Sequence, residues 1–193
     1  GIEDFYQGEI AGKIVADMKA NGGIISHEDL ANCAPEENEP LWGEYRGYRF
    51  STNHPPGGGI MLIEMLNILE NFDLRTIGHN SPEYIRVVAE AMKIATIDKD
   101  TRVGDPRFYD VPMDELTSKE YAARMAEKIK RGEKADVARL NNGGQESKNT
   151  TQVTVTDEHG NCVTMTHTLG QPSGVVTDGL GFMYNGAMTV FDP

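Results

Sequence analysis

The hydrophobic positions change period once along the chain. Over Gly8 to Asn21, Ile10, Ile14, Val15 and Met18 recur at helical spacing, and Gly22-Gly23 stops the run. Ser26-His27-Glu28-Asp29 has the form of a capping box and predicts a short helix. Residues 41–52 carry Trp42, Tyr45, Tyr48 and Phe50 and read as extended chain. Two prolines and three glycines meet in His54-Pro55-Pro56-Gly57-Gly58-Gly59, which no helix or strand interior accommodates. From Gly59 to Asn71 the residues are apolar nearly all round, the mark of a helix buried on most sides. Ser81 as N-cap and Pro82 at the first helical position open a helix to about Asp98, with a stripe of Ile85, Val88, Ala89, Met92 and Ala95. Thr117-Ser118-Lys119-Glu120 repeats the capping pattern and predicts a helix to near Lys130. Residues 131–149 lose all apolar pattern and read as a solvated, mobile loop.

At Thr150 the period becomes two. Thr150, Gln152, Thr154 and Thr156 fall on one face, and Val153 and Val155 on the other. Beyond Asp157-Glu158-His159-Gly160-Asn161 a second strand alternates Val163, Met165 and His167 against Thr164, Thr166 and Thr168. The two form a hairpin, with Gly160 in the left-handed position of a three-residue loop. That loop sets Thr150 opposite Thr168; a bulge or another loop length would shift the pairing by one. Gly174 to Met188 predicts one or two further strands.

The 193 residues suggest about one domain, with 38% hydrophobic and 25% charged residues. A net charge of −12 disfavours nucleic acid and anionic membrane surfaces as partners. No apolar run approaches the roughly 18 residues of a spanning helix, and no basic-then-apolar leader opens the sequence at Gly1. Cys33 and Cys162 form no CxxC, and the five histidines form no HxxxH, so neither a metal nor a cofactor is called for. Asp98 and Asp100 read as a solvated helix end. Gly57-Gly58-Gly59 reads as a tight turn, with an anion cradle at a helix N-terminus as the competing reading.

Threonine favours strands, so a threonine face alone is an ordinary sheet face. The junction adds chemistry. A polar loop ending in Asn149 runs directly into Thr150-Thr151. Cleavage there would create an N-terminal threonine whose hydroxyl is the nucleophile and whose own α-amine is the base. The unperturbed pKa of such an amine, about 7.7–8.0, suits proton transfer at neutral pH. Thr168, opposite Thr150, would orient the nucleophile's oxygen.

Three segments carry a family resemblance: FYQGEIAGKIVADMKANGGIISHEDLANC, EPLWGEYRGYRFSTNHPPGGGIMLIEMLNILENFD and ESKNTTQVTVTDEHGNCVTMTHTLG. The chain resembles the γ-glutamyltranspeptidase (γ-glutamyltransferase) family of N-terminal nucleophile hydrolases from about Asp4 to Phe191. The resemblance implies an α+β chain that is part of a four-layer αββα sandwich, helical first and antiparallel after residue 150. It implies a precursor that cuts itself between Asn149 and Thr150. Residues 1–149 would end a large subunit, and residues 150–193 would begin a small one, within one incomplete structural domain. Thr150 is then the nucleophile and Thr168 its supporting hydroxyl. The implied reaction is acyl transfer from a γ-glutamyl amide such as glutathione to water, an amino acid or a peptide.

The sequence departs from the family pattern at the junction and in the substrate positions. Gln152 stands where the family has His, and Gly170 follows Thr168-Leu169 where an Asn is usual. In Asn185-Gly186-Ala187-Met188-Thr189-Val190-Phe191, Ala187 and Val190 occupy the Gln and Asp positions that hold the glutamyl α-amino group. The alternative reading is therefore an acylase or amidohydrolase for an acyl group without that amine, such as a glutaryl-type acid. A reading of another class is a non-catalytic, unprocessed fragment. By the resemblance, the carboxylate-binding arginine lies upstream of Gly1, and the Ser-Ser pair and Gly-Gly oxyanion hole lie downstream of Pro193. The remaining segments of the same fold are thus expected partners, and exposed sheet edges predict self-association of this segment alone. Family analogy suggests a periplasmic or extracellular location.

Overall fold

A computed structural model describes residues 1–35, 37–138 and 150–187. The chain mixes helices with two small antiparallel sheets. Its contacts divide it into two units, one of residues 1–36 with 145–193 and one of residues 37–144.

In the first unit, α1 (Ile2–Gln7), α2 (Glu9–Ala20) and α3 (His27–Ala31) pack together. Ala11 and Ile14 are the buried positions of α2. The capping box of α3 is present as the sequence predicts: the Asp29 amide donates to Ser26 Oγ, and the Ser26 amide donates to Asp29 Oδ2. Such a cap stabilises a helix by about 1 kcal/mol. The unit also holds the hairpin of β3 (Thr150–Thr156) and β4 (Cys162–Thr168). The sequence predicts one or two strands over Gly174 to Met188. The described part of that segment instead forms irregular chain, with one isolated bridge between Pro172 and Asn185. Glycines at 174, 179 and 181 take positive φ, which breaks the extended conformation a strand needs. A buried Thr177 pins this segment: its hydroxyl lies 2.5 Å from Asp17 Oδ2 and 2.6 Å from Tyr184 Oη.

The second unit opens with β1 (Leu41–Tyr45) and β2 (Tyr48–Thr52), joined by Arg46 and Gly47 at φ 50° and 83°. Two consecutive positive φ values make the two-residue turn that matches strand twist. α4 (Gly59–Leu69) follows the Pro-Gly segment. A Cβ on Gly59 would lie 2.0 Å from the Asn53 carbonyl oxygen, so close backbone approach accounts for this glycine. α5 (Leu74–Ile77), α6 (Pro82–Arg102), α7 (Met113–Leu116) and α8 (Lys119–Lys130) complete the unit. Ile60, Ile68, Val87, Ala91, Leu116, Ala122, Ala126 and Ile129 form its core. Each side chain of isoleucine size buried there is worth roughly 1.5–3 kcal/mol.

Several expectations shift within this unit. Ser81 caps α6 as predicted and Ala95 of the predicted stripe is buried, but α6 also buries Val87 and Ala91 outside that stripe, while Ile85 and Met92 within it are exposed. Both faces are apolar enough to read as a stripe, and packing chooses between them. The helix also continues to Arg102, so Asp98 is buried one turn inside the helix end and is not a solvated terminus. The cap of α8 is Ser118; Thr117 ends α7, with its hydroxyl on the Met113 carbonyl. Within the predicted loop, Val137 is buried and the Ala135 amide donates to Glu90 Oε2 at 2.8 Å. Residues 139–149 of that loop lie outside the described residues.

Candidate active site

The β3–β4 hairpin is built by local chemistry at its tip. Asp157 Oδ1 accepts from the His159 and Asn161 amides, each at 2.9 Å, and Oδ2 accepts from Asn161 Nδ2 at 2.7 Å. The Asn161 side chain foremost, and these amides after it, hold the Asp157 carboxyl below its ordinary range. Gly160 takes φ 82°, the left-handed position that glycine fills without strain. The resulting register pairs Thr150 with Thr168, Gln152 with Thr166 and Thr154 with Thr164, as the three-residue loop predicts.

One face of the hairpin is therefore a polar ladder. Thr150 Oγ1 donates to Thr168 Oγ1 at 3.3 Å, and hydroxyl rotors allow either direction of that bond. Gln152 Nε2 donates to Thr164 Oγ1 at 2.8 Å, and Thr154 and Thr164 hydroxyls stand 3.1 Å apart. The other face carries Val153, Val155, Val163 and Met165, all exposed.

Just past β4 the chain turns at Gly170, at φ 71°, and the Gly170 amide donates to Thr168 Oγ1 at 3.0 Å. The Thr168 hydroxyl oxygen is thus held by a backbone amide as well as by Thr150. The Gly186 amide donates to the Leu169 carbonyl at 2.9 Å. A Cβ on Gly186 would lie 2.3 Å from the Gln171 carbonyl oxygen, so the two segments touch through backbone. A Cβ on Gly170 would stand 3.6 Å from Ala187 Cα. Gly170 and Ala187 are thus side by side next to Thr168, and neither carries a polar side chain. An open cavity of about 820 Å³ shares Gly186 with this corner, and Met18, Ile25, Val175 and Val176 also line it. Asn149 and Val190 lie outside the described residues. Among the described residues, no three His, Cys, Asp or Glu side chains gather as a metal site.

The Asp17–Thr177–Tyr184 contact is the feature of this unit that sequence reasoning missed. It joins positions far apart in the chain, and no periodic pattern marks such a pair.

The gamma-glutamyltranspeptidase family model matches residues 1–193. The glutathione hydrolase proenzyme of Escherichia coli is 39% identical over 197 aligned residues, covering 99% of this chain and 34% of that protein. The acylase ACY 1 proenzyme of a Pseudomonas species (strain V22) is 40% identical, covering 100% of this chain and 35% of that protein. The crystal structure of Helicobacter pylori gamma-glutamyltranspeptidase superposes with a TM-score of 0.65 and 43% identity, over 67% of this chain and 37% of that one. The chain thus spans about a third of the length of the curated relatives it matches. The match runs through every described element, the threonine hairpin included, and the chain belongs to the gamma-glutamyltranspeptidase family of enzymes.

Proposed function

We propose that this chain carries the nucleophile of an N-terminal threonine hydrolase and acyltransferase acting on γ-glutamyl amides such as glutathione. The observation that carries this reading is the hydroxyl pair: Thr150 at the first position of β3, 3.3 Å from Thr168, with the Gly170 amide also donating to Thr168 Oγ1. The proenzyme names of the relatives support a processing step. In that step Thr150 Oγ attacks the Asn149 carbonyl carbon. The peptide C–N bond breaks, the hydroxyl proton passes to the departing nitrogen, and water hydrolyses the resulting ester. The freed α-amine then serves as base. It takes the Thr150 proton as Oγ attacks the substrate amide, and returns it to the leaving amine. Water or an amine acceptor, deprotonated by the same group, releases the acyl group and restores the hydroxyl.

In the whole protein, the exposed Val153, Val155, Val163 and Met165 face is proposed to lie against the other layers of an αββα sandwich. The rest of the fold would supply the groups that hold the substrate carboxylate and the developing oxyanion.

A second reading keeps the chemistry and changes the acyl group. Gly170 beside Ala187 offers no side-chain partner to an α-ammonium, and one of the relatives is named an acylase.

Intact mass of the whole protein after incubation at neutral pH tests the nucleophile. Two fragments are expected, the smaller beginning at Thr150; one uncut mass would overturn the processing step. Thr168→Val is expected to slow cleavage and turnover by about 10- to 100-fold, the worth of one to two hydrogen bonds to the reacting oxygen. Thr168→Ser should retain most of the rate. Equal losses in both variants, measured by single-turnover kinetics, would remove Thr168 from the site.

A further inference from the structure

The second unit buries a carboxyl group that the proposed chemistry does not use. Glu64 on α4 is fully buried, and among the described residues no donor reaches either of its oxygens. It faces Asp98 and Arg102 from α6 and Tyr121 from α8. Those groups are committed elsewhere. Tyr121 Oη donates to Asp98 Oδ2 at 2.5 Å. Arg102 lies 3.5 Å from Asp98 Oδ1 through one nitrogen and pairs with Glu115 of α7 through another. Arg124 of α8 also approaches Glu115, at 3.6 Å. Two carboxylates, Asp98 and Glu115, thus meet two guanidiniums, Arg102 and Arg124. Charge balances in this cluster only if Glu64 is neutral. An ionised, donor-less carboxylate at this depth would carry a large desolvation cost, whereas a protonated one has Asp98 as acceptor.

We propose that Glu64 is held as a carboxylic acid donating its proton to Asp98, so that the α4–α6 contact is a proton-dependent latch. Burial first, and the Asp98 charge after it, push the Glu64 carboxyl up to about 9 from an ordinary value of 4.5. Burial and then the bond to Asp98 push the Tyr121 phenol up as well, so Tyr121 remains a donor through the same range. The folded unit keeps the Glu64 proton where the unfolded chain has lost it. Unfolding therefore releases one proton between about pH 4.5 and pH 9. The latch is at full strength below that window, weakens as pH rises through it, and contributes no further slope above it.

The test is denaturant unfolding of the full chain across this window, followed by the fluorescence of Trp42, the chain's one tryptophan. Glu64→Gln keeps the shape, stays neutral and can donate to Asp98. The wild-type unfolding constant is expected to rise with pH by about a factor of ten per unit more than that of the Gln variant. Parallel pH profiles would overturn the latch. If the Gln variant does not fold, the side-chain carboxyl ¹³C resonance of Glu64 in the wild-type chain decides. A protonated shift at pH 7 that titrates on the alkaline side supports the proposal; an ionised shift at pH 7 ends it.

Discussion

Thr150→Ala is expected to leave the whole protein as one uncut chain and to reduce turnover of amide donors by at least about 10⁴-fold, the scale of losing a covalent nucleophile. Removing the hydroxyl abolishes both attacks in the proposed scheme, since one oxygen cuts the Asn149–Thr150 bond and later carries the acyl group. Thr150→Ser separates chemistry from shape. It keeps the oxygen but loses the methyl group that restricts the side-chain rotamer, so it should cut itself and turn over more slowly. Fragment masses report the first step, and burst kinetics with a chromogenic amide report the second. A Thr150→Ala chain that still cuts at the same bond would show that another group performs the cleavage. A serine variant that cuts but does not turn over would leave Thr150 a processing residue only.

The parts of the fold that were legible in the sequence are those set by neighbouring residues. Ser26 and Ser81 announce their helices because a cap is a bond across three positions. The β3–β4 register follows from Gly160 and strict alternation, and it brings Thr150 to Thr168. What packing decides was not legible. α6 offers two apolar faces, and only contact with α4 and α8 selects Val87 and Ala91 over Ile85 and Met92. Asp98 looked like a helix-end charge until the helix ran four residues further and Tyr121 closed on it. The strands expected after Gly174 failed because glycine there serves positive φ, not a pleat. At the candidate site, residue identities carried the inference, and the adjacency of Gly170 and Ala187 needed coordinates.

That adjacency bears on the choice of acyl donor. A γ-glutamyl and a glutaryl anilide share their acyl length and terminal carboxylate and differ by one α-ammonium. By the family resemblance, a Gln at position 187 and an Asp at 190 would hold that ammonium; this chain has Ala187 and Val190. Each missing charge-assisted bond is worth about 1.5–3 kcal/mol, or roughly 10- to 150-fold in kcat/KM. By the same resemblance, an ammonium in that pocket would also lose water without replacement, which adds to the penalty. The whole protein is therefore expected to favour the glutaryl donor by at least about tenfold. Ala187→Gln combined with Val190→Asp should reverse the order. The new carboxylate gives the ammonium its partner and, with the glutaryl donor bound, stands unpaired beside an uncharged methylene. Kinetics on the two donors with both proteins form a cycle that isolates this interaction. A wild-type protein that strongly prefers the γ-glutamyl anilide would remove the acylase reading, and the amine would then have to be held by residues outside this chain.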